Sequence, residues 1–177
     1  MTKDMVGIYP LGFTYVLHHI VCIFLVTSFI FFDLPPAFML AGGTFAEIGS
    51  AAINSYEMGY AYGSNTIRLI IGLIMTISNF AVIYVLYPYN VVVNGPLRYI
   101  MTVVVSALLV ERERQCLLSI ACIEQPINIK GNKSGKGTNV KYEKGPPTYN
   151  VPMSFTIFFT LASAATLIYF GNLAKNI

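Results

Sequence analysis

The chain has 177 residues, of which 55% are hydrophobic and 11% are charged, and its formal net charge is +3. Soluble domains carry about 25% charged residues, so less than half of that fraction indicates an integral membrane protein. The small net charge does not indicate a nucleic-acid-binding surface. The three cysteines cannot all pair and show no metal-ligand spacing. We therefore expect no disulfide framework, no metal site and no cofactor.

Four apolar runs approach or reach the roughly 20 residues that a helix needs to cross a bilayer. They are residues 12–32, 37–55, 66–87 and 153–173. Proline interrupts helical hydrogen bonding, so we expect the third run to end at Pro88. A weaker run, 97–110, is long enough only if its helix continues through the sequence ERERQ. The predicted fold is an all-α, polytopic transmembrane helix bundle of four to five spans, forming a single domain over residues 1–177.

Residues 111–150 differ in composition from the runs around them, and we predict a basic extramembrane loop there. Most of the lysines and arginines of the chain lie in this segment, which the positive-inside rule places on the cytosolic or matrix side. The sequence GNKSGKGT within it lacks the spacing of a phosphate-binding loop. The first residues include Asp4 and lack the composition of a transit peptide, so the first run is expected to act as its own insertion signal unless a presequence was removed.

Two adjacent histidines interrupt the first run, and an ionisable residue inside a membrane helix usually has a role. His18 and His19 point about 100° apart on a helix. Glu47 is the acid within the second run, and a tight antiparallel pairing of the two runs would bring it to a similar depth as His19. We expect a His–Glu contact, which would either line a polar pocket for acid/base chemistry on a lipid or fix the helix register.

Other polar and small residues of the runs have predicted packing roles. Asn54, Ser78 and Asn79 are interpreted as interhelical hydrogen-bonding groups. Gly42, Gly43, Gly49 and Ser50 would let another helix approach the second run closely, as small residues do in membrane helix pairs.

The sequence FTYVLHHIVCIFLVTS, followed by a short turn and GTFAEIGSAAINS, resembles the core of the TLC-domain family, which includes the ceramide synthases and other lipid-handling membrane proteins. That family has a helix with a His-His pair, and in one branch the next helix carries a Glu followed by small residues and an Asn. The residues that fall on this pattern are His18, His19, Glu47, Ser50 and Asn54. The resemblance implies a TLC-like bundle with a lipid-handling pocket at these positions.

The chain departs from the family because the His-His helix comes first, whereas family members usually have further helices before it. The resemblance therefore describes a bundle shortened at its N-terminus. We expect a non-catalytic accessory subunit of a larger membrane complex, for example a respiratory-chain complex in the mitochondrial inner membrane. The alternative is a lipid-handling enzyme, for example of the endoplasmic reticulum, that performs acyl transfer with His18, His19 and Glu47 as candidate catalytic residues. The expected partners are membrane lipids and other membrane subunits.

Overall fold

A computed structural model describes residues 13–33, 35–57, 63–127 and 141–176, and it consists mainly of α-helices. The helices are α1 (Phe13–Phe31), α2 (Pro36–Glu57), α3 (Asn65–Val92), α4 (Pro96–Ala121) and α5 (Met153–Lys175). Two strands, β1 (Cys122–Ile127) and β2 (Lys141–Pro147), pair in antiparallel fashion between α4 and α5. The prediction of an all-α fold is therefore confirmed for the body of the molecule, with one small strand pair added.

The apolar runs all become helices, but α3 does not end where the sequence predicts. Pro88 lies inside α3, which continues to Val92. A proline removes only one helical hydrogen bond, and the turn that follows it is held by burial. Tyr89 and Asn90 are buried there, and the Asn90 side-chain amide donates to the Leu86 carbonyl at 3.0 Å. Packing of this last turn therefore outweighs the helix-breaking tendency of Pro88.

The weak run 97–110 belongs to a continuous helix of 26 residues, because α4 passes through the ERERQ sequence. The predicted loop over 111–150 is consequently wrong for much of its length. Residues 111–121 complete α4, and residues 122–127 and 141–147 form β1 and β2. The connection between the strands, which contains the GNKSGKGT sequence, lies outside the described residues. The helix is favoured here because each charged side chain of ERER finds a hydrogen-bond partner on a neighbouring element.

The main partner of α2 is α3 rather than α1, which differs from the predicted tight pairing of the first two runs. The contact depends on small residues, as expected for closely packed membrane helices. A Cβ atom at Gly49 would lie 2.5 Å from the Ser78 hydroxyl oxygen and 3.0 Å from the Met75 sulfur. The Ser78 hydroxyl donates across the same contact to the Phe45 carbonyl. Gly49 therefore faces α3, and its close contact with Ser78 and Met75 fixes α2 against α3.

The bundle has two distinguishable ends. At the turn end lie the α1–α2 and α3–α4 connections, where Phe29 stacks on Tyr89 with ring centroids 5.9 Å apart. At the hairpin end, β1 and β2 cap the helices, and the Arg68 guanidinium donates to the Cys122 carbonyl at 2.8 Å. Arg68 also lies 3.6 Å from the Glu124 carboxylate. These contacts hold the strand pair on the start of α3.

Replacing Gly49 by alanine tests the close approach of α2 and α3. We expect Gly49→Ala to lower the free energy of unfolding by about 1–3 kcal/mol, because the added methyl group overpacks the contact. The matched control is Gly43→Ala, where a Cβ atom would meet nothing within 4 Å. That variant should be unchanged or stabilised by up to about 1 kcal/mol through helix propensity. Denaturant unfolding in detergent, followed by circular dichroism, measures both, and equal effects would contradict the contact.

Candidate functional site

The most connected polar feature of the molecule is one turn of α4, residues 111–114, which we call the charged turn. Successive residues of a helix point about 100° apart, so four consecutive charged residues face almost every direction around the axis. In a helix surrounded by others, each of these side chains meets a different neighbour. The charged turn therefore forms bonds to α2, α3 and α5 at one level of the bundle.

The outer charges of this turn join α4 to the start of α5. Glu111 and Arg114 form an ion pair at 2.7 Å, and the Thr156 hydroxyl on α5 donates to Glu111 at 2.8 Å. Arg114 also donates to the Val151 carbonyl just before α5, at 3.1 Å. A bidentate pair with additional donors is the geometry in which ion pairs contribute most. This half of the charged turn fixes where α5 begins.

The inner charges of the turn join α4 to α2 and α3. Arg112 donates to the Ala46 carbonyl at 3.1 Å and to the Ser50 hydroxyl at 3.2 Å, both on α2. Glu113 accepts from the Thr76 hydroxyl at 2.6 Å and from the Asn79 amide at 2.9 Å, both on α3. A neutral hydrogen bond contributes about 1 kcal/mol, whereas bonds that involve a charged group, as these four do, contribute about 1.5–3 kcal/mol each.

A second polar cluster lies near the turn end and is centred on Arg98, which is 3% exposed. Its guanidinium donates to Asn90 at 3.1 Å, to Asn172 at 2.8 Å and to the Ile168 carbonyl at 3.0 Å. The Thr102 hydroxyl shares the same Asn90 oxygen at 3.0 Å. This cluster joins α3, α4 and α5 in the way that the charged turn joins them closer to the hairpin end.

The stretch of α4 between the two clusters contains no charged side chain. Arg98 and Arg112 are about four helical turns apart, which is about 21 Å along the axis. The buried residues between them include Met101, Val105 and Leu109, which belong to the main apolar core. The bundle therefore has an uncharged middle between two layers of hydrogen-bonded charges.

The predicted site residues lie on two helices, α1 and α2. The side chain of His18 lies outside the described part, and His19 is half-buried on α1. Glu47 is exposed on α2, and its predicted contact with His19 stays a prediction. Arg112 is close enough to interact electrostatically with Glu47.

The two other predicted residues on α2 differ in their surroundings. Ser50 is half-buried, donates to the Ala46 carbonyl at 3.0 Å and accepts from Arg112. Asn54 is exposed, whereas Ser78 and Asn79 make the interhelical hydrogen bonds that the sequence predicts. The three predicted residues on α2, spaced by three and four positions, therefore share one face of the helix and differ in their exposure.

A groove of about 180 Å³ opens between α3, α4 and α5. Its wall is apolar over most of its length, with Leu109 and Phe159 among the lining residues, and Glu113 and Asn79 line it together with them. The Asn79 side-chain oxygen is buried without a hydrogen-bond partner. A buried polar atom in that state costs about 1–3 kcal/mol. This groove is the candidate ligand site of the described chain.

Neither the charged turn nor the groove is predicted by the sequence as a site, since ERERQ is interpreted there as the start of a polar loop. The signal that could have found it is the spacing of Thr76 and Asn79, which places two polar groups on one face of an apolar helix. No three His, Cys, Asp or Glu side chains cluster as a metal ion requires within the described ranges.

Comparison with known proteins adds no relative to this description. No protein-family model matches the chain, nor does any curated protein sequence or any solved structure. The functional argument therefore depends on the geometry of the bundle and on the chemistry of its residues.

Proposed function

We propose that the chain is a membrane-embedded helix bundle that serves as a non-catalytic accessory subunit of a larger membrane protein complex. The observation that carries the proposal is the distribution of polarity. Charged side chains of the bundle are directed at neighbouring helices, while large apolar side chains cover the outside. A soluble protein has the opposite arrangement, and it rarely exposes a large continuous apolar patch.

The outer face of α3 illustrates this arrangement. Its exposed residues recur at spacings of three and four, which places them on one side of the helix. They are Ile70 (51% exposed), Leu73 (59%), Ile77 (59%), Phe80 (67%) and Tyr84 (76%). Within the described ranges, two helices, α3 and α5, are long and apolar enough to cross a membrane. In the apolar 18-residue stretch of α5, only 17% of the stretch is buried, whereas the core helix of a soluble protein is mostly buried.

The remaining helices lie beside these two and are expected to share their depth. Gly42 and Gly49 of α2 contact α3 at Val85 and Ser78, respectively, so α2 runs along much of α3. α4 packs against both α3 and α5. We propose five spans on this basis, with the strand pair outside the membrane on the side where the basic residues lie.

The non-catalytic part of the proposal is supported by how the ionisable groups are used. Glu111, Glu113 and Arg112 each hold another helix in place, which leaves them little freedom to act on a substrate. Glu47 differs from them, because it is exposed on α2 and interacts with Arg112 electrostatically without an ion pair. An ionised side chain facing hydrocarbon is costly, so a neighbouring subunit that supplies a hydrogen-bond donor or a cation would stabilise it.

Single-cysteine labelling tests the five-span topology. In a chain whose native cysteines are replaced, we introduce Asn94→Cys, Glu143→Cys and Asn176→Cys and expose sealed vesicles to an impermeant maleimide. Five spans predict that positions 94 and 176 label from one side and position 143 from the other. Labelling of positions 94 and 143 from the same side would show that α4 does not cross. Release of the chain by alkaline carbonate would contradict membrane embedding altogether.

Native electrophoresis after mild detergent extraction tests the subunit role. We expect the wild-type chain to migrate in a particle much larger than the monomer. Glu47→Ala should shift most of it to the monomer, because the outward carboxylate is lost. The matched control is Ile77→Ala on the lipid-facing side of α3, which should migrate like wild type. A monomeric wild-type chain, or an acyl-transfer activity that disappears in the double variant His18→Ala with His19→Ala, would contradict this role.

A further inference from the structure

The groove between α3, α4 and α5 is lined mainly by apolar side chains, and Glu113 is the acidic residue in its wall. Glu113 and Phe155 lie at the level of the charged turn, whereas Ser163 lies eight positions further along α5. That spacing corresponds to about 12 Å along the helix axis. From the layer of charges the groove extends about one turn toward the hairpin end, at Leu117, and further toward the uncharged middle of the bundle.

At the layer of charges, Glu113 is a hydrogen-bond acceptor that interacts electrostatically with Arg112 without forming an ion pair with it. Glu113 accepts one bond on each carboxylate oxygen, and a carboxylate has about four acceptor positions, so capacity remains. No cation of the described chain lies within ion-pair distance of Glu113, because Arg112 turns toward α2 and Arg114 pairs with Glu111. Asn79 is 4% exposed, and its side-chain oxygen is an unsatisfied acceptor.

A ligand that complements Glu113 and the apolar wall has a cationic donor at one end and a hydrocarbon chain at the other. The axial arrangement is that of a membrane lipid, whose head group lies at the level of interfacial charges and whose chain extends into the apolar core. Charge complementarity at Glu113 favours an amine that retains N–H groups. A quaternary ammonium has no N–H to donate, and an anionic head group would be repelled.

We propose that this groove binds a phospholipid with a primary ammonium head group, with one acyl chain along the apolar wall and the ammonium on Glu113 beside Asn79. The proposal rests on the membrane placement of the bundle proposed above, but not on the subunit role. The membrane placement and the lipid site are refuted by different results. Release of the chain by alkaline carbonate would refute the membrane placement. An embedded chain that shows no head-group preference would refute only the lipid site.

Native mass spectrometry of the full chain, released from detergent micelles, measures the preference. The protein is titrated with equal amounts of dioleoyl phosphatidylethanolamine and dioleoyl phosphatidylcholine, which differ only in the methylation of the amine. We expect the ethanolamine lipid to be retained about tenfold more, because one charge-assisted hydrogen bond corresponds to about that ratio. Equal retention of the two lipids would overturn the proposal.

Two variants test the two ends of the groove separately. Glu113→Gln removes the charge and keeps a hydrogen-bonding side chain, so the tenfold preference should disappear while the chain still binds lipid. Ser163→Phe fills the part of the groove toward the uncharged middle, so retention of the ethanolamine lipid should fall about tenfold. If Glu113→Gln fails to fold, as judged by circular dichroism and gel filtration, the second variant still decides the location.

The matched controls lie outside the groove. Glu143→Gln removes a carboxylate from β2, and Ala165→Phe adds the same ring to an exposed position of α5. Both should retain the wild-type preference and retention. A preference that survives in Glu113→Gln, or a loss that is equal in Ala165→Phe and Ser163→Phe, would overturn the assignment of the ligand to this groove.

Discussion

The hydrogen bonds made by the charged turn of α4 are the constraint on which the rest of the bundle depends. Arg112 reaches α2, Glu113 reaches α3 and Glu111 reaches α5, so one helical turn sets the positions of three helices. Burying charges is unfavourable unless every one is paired or hydrogen-bonded. The turn is stable only when all three neighbours are in place, and it therefore links their positions to one another.

This constraint also explains the arrangement of the apolar residues. In the described helices, the charged side chains lie in the layer of the charged turn, in the Arg98 cluster and at the helix ends, and the stretch of α4 between the two clusters carries none. The outside of α3 and α5 is apolar, which suits a hydrocarbon environment. The groove occupies the boundary between the charged turn and the uncharged middle. Its combination of an acidic residue with a mainly apolar wall follows from that position.

The helices themselves could largely be predicted from the sequence, because long apolar runs bounded by proline and glycine leave few alternatives. The errors arose where tertiary contacts outweigh local signals. Pro88 does not end α3, because the buried side chains of Tyr89 and Asn90 hold the turn that follows. The ERERQ sequence is helical because α2, α3 and α5 supply partners for its charges, and no local pattern identifies those partners.

The candidate site could be predicted less well than the fold. Ser50 contacts a charge, as a polar pocket residue would, but that charge is Arg112, which the sequence assigned to a loop. Glu47 is exposed because α2 packs against α3 rather than α1, through the face that carries Gly42 and Gly49. A single sequence shows which residues are polar, but the rotation of one helix against another depends on packing that involves distant segments.

The central claim is that the charged turn fixes α2 and α5 relative to each other, and a distance measurement tests it most directly. Spin labels at Ala51→Cys on α2 and Ala162→Cys on α5, in a chain without native cysteines, report that distance by pulsed electron resonance. The account predicts one narrow distance distribution in wild type and a broad one when residues 111–114 are all changed to glutamine. The control, Arg68→Gln with Glu124→Gln at the strand pair, should stay narrow. A narrow, unchanged distribution in the glutamine variant would contradict the account.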